Sequence, residues 1–307
     1  MDSTIKQNIV NALASYMEVH GLSQESMEQK SGVNSSYINA MLNGRTQVGN
    51  TEIKEAYYKK VADAIGYEYE RKFWKLVETT QYNTILEELL DAKYRGSEKM
   101  IIGESGCGKT TTLREFKKLK PVNTYCIKVS SLHKLKDILN DICDTMKITI
   151  KGSDVVKLRR IANKMRDLKL SGKLPILIID EAENLKVPAL RMTKALYDAL
   201  EGFCPIVLLG TKQLQNKIEK LKEDDEEGMP QLYRRFKAGL RVVRDIEKAT
   251  MFIPFLDLIE DEGVKEMVLN LADNYGELNK YIEPALREAA IMDAPLTENF
   301  YKAFYKL

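Results

Sequence analysis

Eight consecutive residues, Gly103-Glu104-Ser105-Gly106-Cys107-Gly108-Lys109-Thr110, fit the spacing G-x-x-x-x-G-K-[ST]. The glycines let successive backbone N–H groups curl around phosphate oxygens, and a helix N-terminus behind them adds the positive end of its dipole. In such a loop Lys109 reaches the β- and γ-phosphates of a nucleotide, and the Thr110 hydroxyl takes Mg²⁺. Both flanks suit this chemistry better than a glycine-rich turn without a ligand. Lys99-Met100-Ile101-Ile102 reads as a short buried strand entering the loop. A helix leaves it from Thr111 to Leu119, with Leu113 and Phe116 on one face and Arg114, Lys117 and Lys118 on the other.

A second constellation follows about 70 residues later. Pro175-Ile176-Leu177-Ile178-Ile179-Asp180-Glu181 is an apolar strand that ends in two carboxylates. Asp180 is the residue to orient Mg²⁺, and Glu181 the one to polarise an attacking water. Ile206 to Gly210 is a further buried strand ending at Thr211. Ligands of such sheets lie at the carboxyl ends of the strands, so Thr211 is the candidate to read a γ-phosphate. In Gln231-Leu232-Tyr233-Arg234-Arg235-Phe236, an arginine can complete a neighbouring subunit's site; the plainer reading is a surface arginine pair. The acidic run over residues 222–228 reads as a solvated loop.

These residues need a parallel sheet with helices on both sides, and the apolar runs supply it. Strands are expected at 99–102, 124–129, 175–181, 206–210 and 241–246, with a helix at 134–146 between the second strand and the third. A helix at 82–92 leads in, and residues 249–307 are helical only, forming a small acidic lid. The expected division is a first domain at 1–66, a linker and lead-in helix at 67–97, an α/β core at 98–248 and a helical lid at 249–307.

The 307 residues carry a net charge of +2. That sum hides an asymmetry, because residues 101–175 hold 17 basic and 7 acidic side chains. Such an excess favours a polyanionic partner, although a lysine-rich solvated surface gives the same count. Lys151, Lys157, Arg159 and Arg160 form the densest cluster and are the first choice for contact with duplex DNA. Four cysteines (107, 126, 143 and 204) show no metal-ligand spacing and read as reduced thiols in a cytosolic protein. The first twenty residues lack the apolar core of a signal peptide, and the longest apolar runs are too short to span a bilayer, so a cytoplasmic protein without membrane partners is expected.

The amino-terminal 66 residues read as all-helical. Ile5, Ile9, Leu13 and Met17 recur at helical spacing over 4–19; Ser23 can cap a second helix, Ser31-Gly32-Val33 turns the chain, and Asn34 can cap a third. A fourth is expected over 51–65, with Ile53, Ala56, Tyr57, Val61 and Ile65 as its apolar face. The stretch from Leu22 to Gly44 resembles the repressor-like helix-turn-helix family. That family would present Ser35, Ser36, Tyr37 and Asn39 to a DNA groove. With 6 basic and 7 acidic groups over residues 1–66, weak non-specific DNA binding and a protein-docking role both remain open.

Taken together, the phosphate loop, the Asp-Glu strand, the Thr-ended strand, Arg234-Arg235-Phe236 and the helical lid resemble the AAA+ ATPases. With a helix-turn-helix in front, the chain is similar to the transposition ATPases of the phage Mu B type; Val77-Glu78-Thr79, Arg114-Glu115-Phe116, Gly276-Glu277-Leu278 and Leu286-Arg287 also fit. The resemblance implies a five-stranded parallel sheet, ATP and Mg²⁺ as ligands, and nucleotide contacts from Gly103, Glu104, Ser105, Gly106, Cys107, Gly108, Lys109, Thr110 and Thr111. It implies hydrolysis through Glu181, Thr211 and a finger arginine, for which Arg235 fills the family's place. It also implies an ATP-dependent helical oligomer of the chain itself on duplex DNA, which selects target sites and activates a separate transposase. Asn279 stands where the family has a lid arginine, with Lys280 as the available substitute. Two other readings compete: a nucleotide-gated transcription regulator and a helicase-loader-like ATPase.

Overall fold

The computed structural model describes residues 3–67, 73–149 and 151–307. The chain forms two compact units, residues 1–73 and 74–307.

In the first unit, α1 (Ser3–His20), α2 (Gln24–Ser31), α3 (Ser35–Leu42) and α4 (Glu55–Ile65) enclose a core of Ile9, Leu13, Met27, Ile38, Met41, Ile53 and Val61. The capping residues act as the sequence suggests. Ser23 Oγ accepts from Ser26 N at 3.2 Å and Asn34 Oδ1 from Ser36 N at 2.9 Å, while Gly32 closes α2 at φ 65°. The unit is not purely helical. β1 (Gln47–Val48) and β2 (Thr51–Glu52) pair antiparallel around Gly49, whose φ of 59° allows the tight reversal. The fourth helix therefore starts at Glu55 rather than residue 51. Its buried face is Tyr58, Val61 and Ala62, and Ala56 is exposed. The connector expected after residue 66 lies partly outside the described residues, at 68–72.

The second unit begins with α5 (Thr80–Arg95), capped by Thr79 Oγ1. It continues through β3 (Lys99–Ile102), α6 (Lys109–Leu119), β4 (Thr124–Lys128), α7 (Leu135–Thr145), α8 (Asp154–Leu170), β5 (Ile176–Asp180), a one-turn 3₁₀ helix (Ala182–Asn184) and α9 (Val187–Leu200). After these come β6 (Ile206–Gly210), α10 (Lys212–Glu223), α11 (Met229–Lys237) and β7 (Leu240–Val242). The five strands β3 to β7 form one parallel sheet in the order β4-β5-β6-β3-β7. β3, β5 and β6 are buried along their whole length, which explains why they are apolar apart from Lys99 at the start of β3 and Asp180 at the end of β5. Helices pack on both faces, with Ile138, Ile161, Leu196 and Phe236 on one side and Ile85, Leu89, Leu113 and Phe116 on the other.

The remaining helices are α12 (Lys248–Met251), α13 (Ile253–Leu256), α14 (Glu262–Leu271), α15 (Tyr275–Ile291) and α16 (Glu298–Tyr305). They share a core of Phe252, Phe255, Val264, Leu278, Ile282 and Tyr301. Trp74 stacks on Phe255 at 4.7 Å between ring centres and so ties the lead-in segment to this bundle. Among the described residues no helix is long and apolar enough to cross a membrane, and all four cysteines are free.

Candidate functional site

The sheet's register assembles the site. β3 and β6 pair from Lys99↔Val207 to Ile102↔Gly210, and Gly103 N donates to Gly210 O at 3.0 Å. The first glycine of the loop and Thr211 thus lie side by side at the carboxyl edge. Gly106 and Gly108 take φ of 77° and 99°, values that turn the loop back on itself before α6. Gly103 is also sterically required: a Cβ there would lie 2.7 Å from Cys107 Sγ and 3.3 Å from Val243 Cβ.

Lys109 folds over the loop, with Nζ donating to Gly103 O at 2.7 Å and Glu104 O at 2.8 Å. Thr110 Oγ1 donates to Asp180 Oδ2 at 3.0 Å, so the two candidate Mg²⁺ donors converge from α6 and β5. Asp180 is 2% exposed, and burial raises its carboxyl above the ordinary carboxylate value against the opposing pull of the Thr110 hydrogen bond. Among the described residues no trio of His, Cys, Asp or Glu gathers as a metal cage. Two protein oxygens suit Mg²⁺, which completes its shell with water and phosphate oxygens. Cys107 is buried inside the loop, and burial pushes its thiol up, so it is a poor nucleophile.

Glu181 sits one residue beyond β5 with φ 55° and ψ 39°. Lys128, the last residue of β4, reaches its Oε1 at 3.5 Å. Thr211 is the N-cap of α10 yet makes no side-chain cap bond, and its Oγ1 is buried without a hydrogen-bond partner among the described residues. An orphaned hydroxyl at this edge fits a phosphate ligand. Thr111, Ser105 and Glu104 are at least partly open around the loop.

Three residues that the sequence did not single out belong here. Asn274, the N-cap of α15, lies against the loop: a Cβ on Gly106 would come within 2.1 Å of its Oδ1. The capping pattern Asn274-x-x-Glu277 was the available signal, since Glu277 N donates to Asn274 Oδ1 at 3.0 Å. Lys128 and Glu183 are the other two, and nothing in their local spacing marks them. Asn279 and Lys280, the expected lid positions, stand further along α15. Lys280 is exposed, and its carbonyl accepts from Tyr305.

Several sequence candidates take unexpected places. Arg235 is tied inside its own chain, to Asp198 at 2.7 Å and Glu201 at 3.3 Å, and stacks over Tyr197 at 4.2 Å; Arg234 is the exposed member of the pair. Lys151, Arg159 and Arg160 are exposed, but Lys157 is 6% exposed and donates to Asn140 Oδ1 at 2.6 Å. Lys157 is therefore not a surface contact for DNA. It precedes Ile161 by one helical turn, so the phase of α8 carries it to the buried face. In the first unit, Ser36 and Asn39 are exposed, Tyr37 packs on Tyr57 at 4.8 Å between ring centres, and Ser35 N donates to Glu28 at 2.9 Å. Asn39 Oδ1 is already engaged by Asn43 at 2.8 Å and Gln24 at 3.3 Å.

Residues 97–218 match a family profile described as an AAA domain. Those residues run from just before β3 into α10 and include the loop between β3 and α6. The fold is that of an AAA+ P-loop domain. No curated protein matches the chain significantly. Among solved structures, the chain is similar to the Aeropyrum pernix ORC2 protein, solved as ADPNP–ADP complexes, with TM-score 0.54 and 14% identity over 75% of this chain and 68% of that one. It is similar also to Aeropyrum pernix ORC1 in complex with DNA, with TM-score 0.54 and 16% identity over 74% of this chain and 64% of that one. Pyrobaculum aerophilum Cdc6p gives TM-score 0.52 and 17% identity over 70% and 63%. The chain thus spans just under two thirds of ORC1 and Cdc6p. At these identities the likeness is one of AAA+ fold.

Proposed function

We propose that this chain is an ATPase that binds duplex DNA in an ATP-dependent, largely sequence-neutral way. The observation that carries the ATPase reading is the Thr110–Asp180 hydrogen bond beside the Lys109 loop, because it brings both halves of a phosphate and Mg²⁺ site to one sheet edge. Lys109 and the loop amides bind the phosphates. Thr110 and Asp180 hold Mg²⁺, which when bound neutralises charge on the phosphate oxygens. Glu181 orients the attacking water, with Lys128 holding its carboxylate in the meantime. Thr211 hydrogen-bonds the terminal phosphate with its unpaired hydroxyl.

DNA binding is supported by the basic excess over residues 101–175 and by the exposure of Lys151, Arg159 and Arg160 on α8 and the loop before it. The ORC1 neighbour, solved in complex with DNA, is consistent with it. The finer role is assembly of many copies on DNA to select target sites and activate a transposase, as the sequence resemblance implies. A second reading, a loader-like ATPase that acts on another ATPase, is compatible with the likeness to ORC and Cdc6.

Imaging the full chain with random-sequence duplex, with and without a non-hydrolysable ATP analogue, tests these. Analogue-dependent filaments, absent with Lys109→Ala, support the transposition reading. Discrete closed particles favour the loader. No binding to DNA in either condition overturns both DNA roles.

A further inference from the structure

We infer that Glu183 is a positioning residue that holds Thr211 for discrimination of the terminal phosphate, an inference that rests on the ATPase reading above. Glu183 lies in the 3₁₀ turn two residues after Glu181, and its carboxylate crosses to the neighbouring strand end. Oε2 accepts from Thr211 N at 3.3 Å. Gly210 leaves room for that approach, because a Cβ there would stand 2.9 Å from Glu183 Oε2. The turn is pinned further. Lys217 of α10 donates to the carbonyls of Glu183 and, at 3.2 Å, of Leu185; burial lowers the Lys217 pKa, and the nearby Glu183 charge opposes that shift. On the other side Asn184 Nδ2 donates to Val129 O at 3.1 Å, just beyond β4. One turn thus links the ends of three adjacent strands.

The consequence falls on Thr211. A threonine at an N-cap ordinarily turns its hydroxyl onto the first amides of its own helix. Here the cap bond is not made, and Oγ1 stays buried and unpartnered. Glu183 supplies a backbone anchor at Thr211 N, and the hydroxyl remains free for a ligand oxygen. Because Glu183 and Glu181 share one turn, the residue that senses the terminal phosphate and the residue that activates water are held to a common frame.

The test is the ratio of affinities for ADP and a non-hydrolysable ATP analogue, measured with Mg²⁺ on the full chain and the variants Glu183→Ala, Glu183→Gln, Thr211→Val and Glu183→Ala/Thr211→Val. Lost contact to a charged oxygen is expected to weaken analogue binding about tenfold in Glu183→Ala, with ADP binding within about twofold. Glu183→Gln keeps an oxygen acceptor and should stay within about threefold of the parent chain. The double variant should be no weaker than the worse single one. Equal loss of both nucleotides in Glu183→Ala, unchanged analogue binding in that variant, no rescue by Gln, or additive losses would overturn the inference while leaving the ATPase reading intact. A parent chain that binds neither nucleotide would overturn both.

Discussion

Thr110 Oγ1 donates to Asp180 Oδ2 at 3.0 Å, joining the first turn of α6 to the last residue of β5. The bond brings a hydroxyl and a carboxylate together at the one edge of the sheet where Lys109 also lies. It also keeps a nearly buried acid in place. Burial raises the Asp180 pKa, so the folded chain disfavours the charged form. The contribution to stability is therefore best below the ordinary carboxylate value and is lost as pH rises through the raised one.

Asp180→Asn removes that cost at neutral pH. The amide oxygen can still accept from Glu181 N, as Oδ1 does at 3.0 Å, and the amide nitrogen can donate to Thr110. Without ligands the variant should melt a few degrees higher at pH 7, a gain of about 1 kcal/mol, with the gain shrinking toward pH 4. Mg²⁺-dependent hydrolysis should be lost. Thermal melts across pH, paired with a phosphate-release assay, check both; a lower Tm at pH 7 would contradict the burial argument.

Glu181→Gln should bind ATP with near-parental affinity while hydrolysis falls about a hundredfold or more. Its complexes with DNA should correspondingly persist when ATP is diluted away. Rapid turnover in this variant would move the water-activating role elsewhere.

Gly106→Ala combines two costs, a φ of 77° and a Cβ 2.1 Å from Asn274 Oδ1. Nucleotide affinity should drop at least about tenfold, since the loop and the start of α15 can no longer meet as they do. Adding Asn274→Ala relieves the contact but leaves the backbone strain, so recovery should be partial. Full recovery would show that the backbone conformation is immaterial.

Replacing Lys151, Arg159 and Arg160 together with alanine should leave stability within about 0.5 kcal/mol and lower the slope of log affinity for DNA against log salt by about 2–3. Lys157→Ala should instead cost about 1–2 kcal/mol of stability, because Asn140 loses its buried partner. An unchanged slope in the triple variant would place the DNA surface on another face.

Arg235→Ala should destabilise its own chain by about 1 kcal/mol, since Asp198 and Glu201 are partly solvated partners and Tyr197 loses its stacked cation. Arg234→Ala should leave Tm unchanged. If only Arg234→Ala lowers hydrolysis at concentrations where the chain assembles, the exposed arginine completes the neighbouring site; if neither does, the pair has no such role.

The glycine loop, the Asp180-Glu181 strand end, the five parallel strands and the helices after residue 248 were legible in the amino-acid sequence, because each depends on local rules: glycine torsions, apolar runs and helical periodicity. Their spans shift by only a few residues, as with β7 at Leu240–Val242 against an expected 241–246. The β1–β2 ladder was missed because two-residue strands carry no period to read. Tertiary structure alone decided which long-separated side chains meet. Asn274 rests on Gly106, Glu183 holds Thr211, Arg235 turns to Asp198 and Lys157 goes inward to Asn140. Each of these pairs is set by how helices seat on the sheet and by strand order, and neither quantity is written in the spacing of neighbours along the chain.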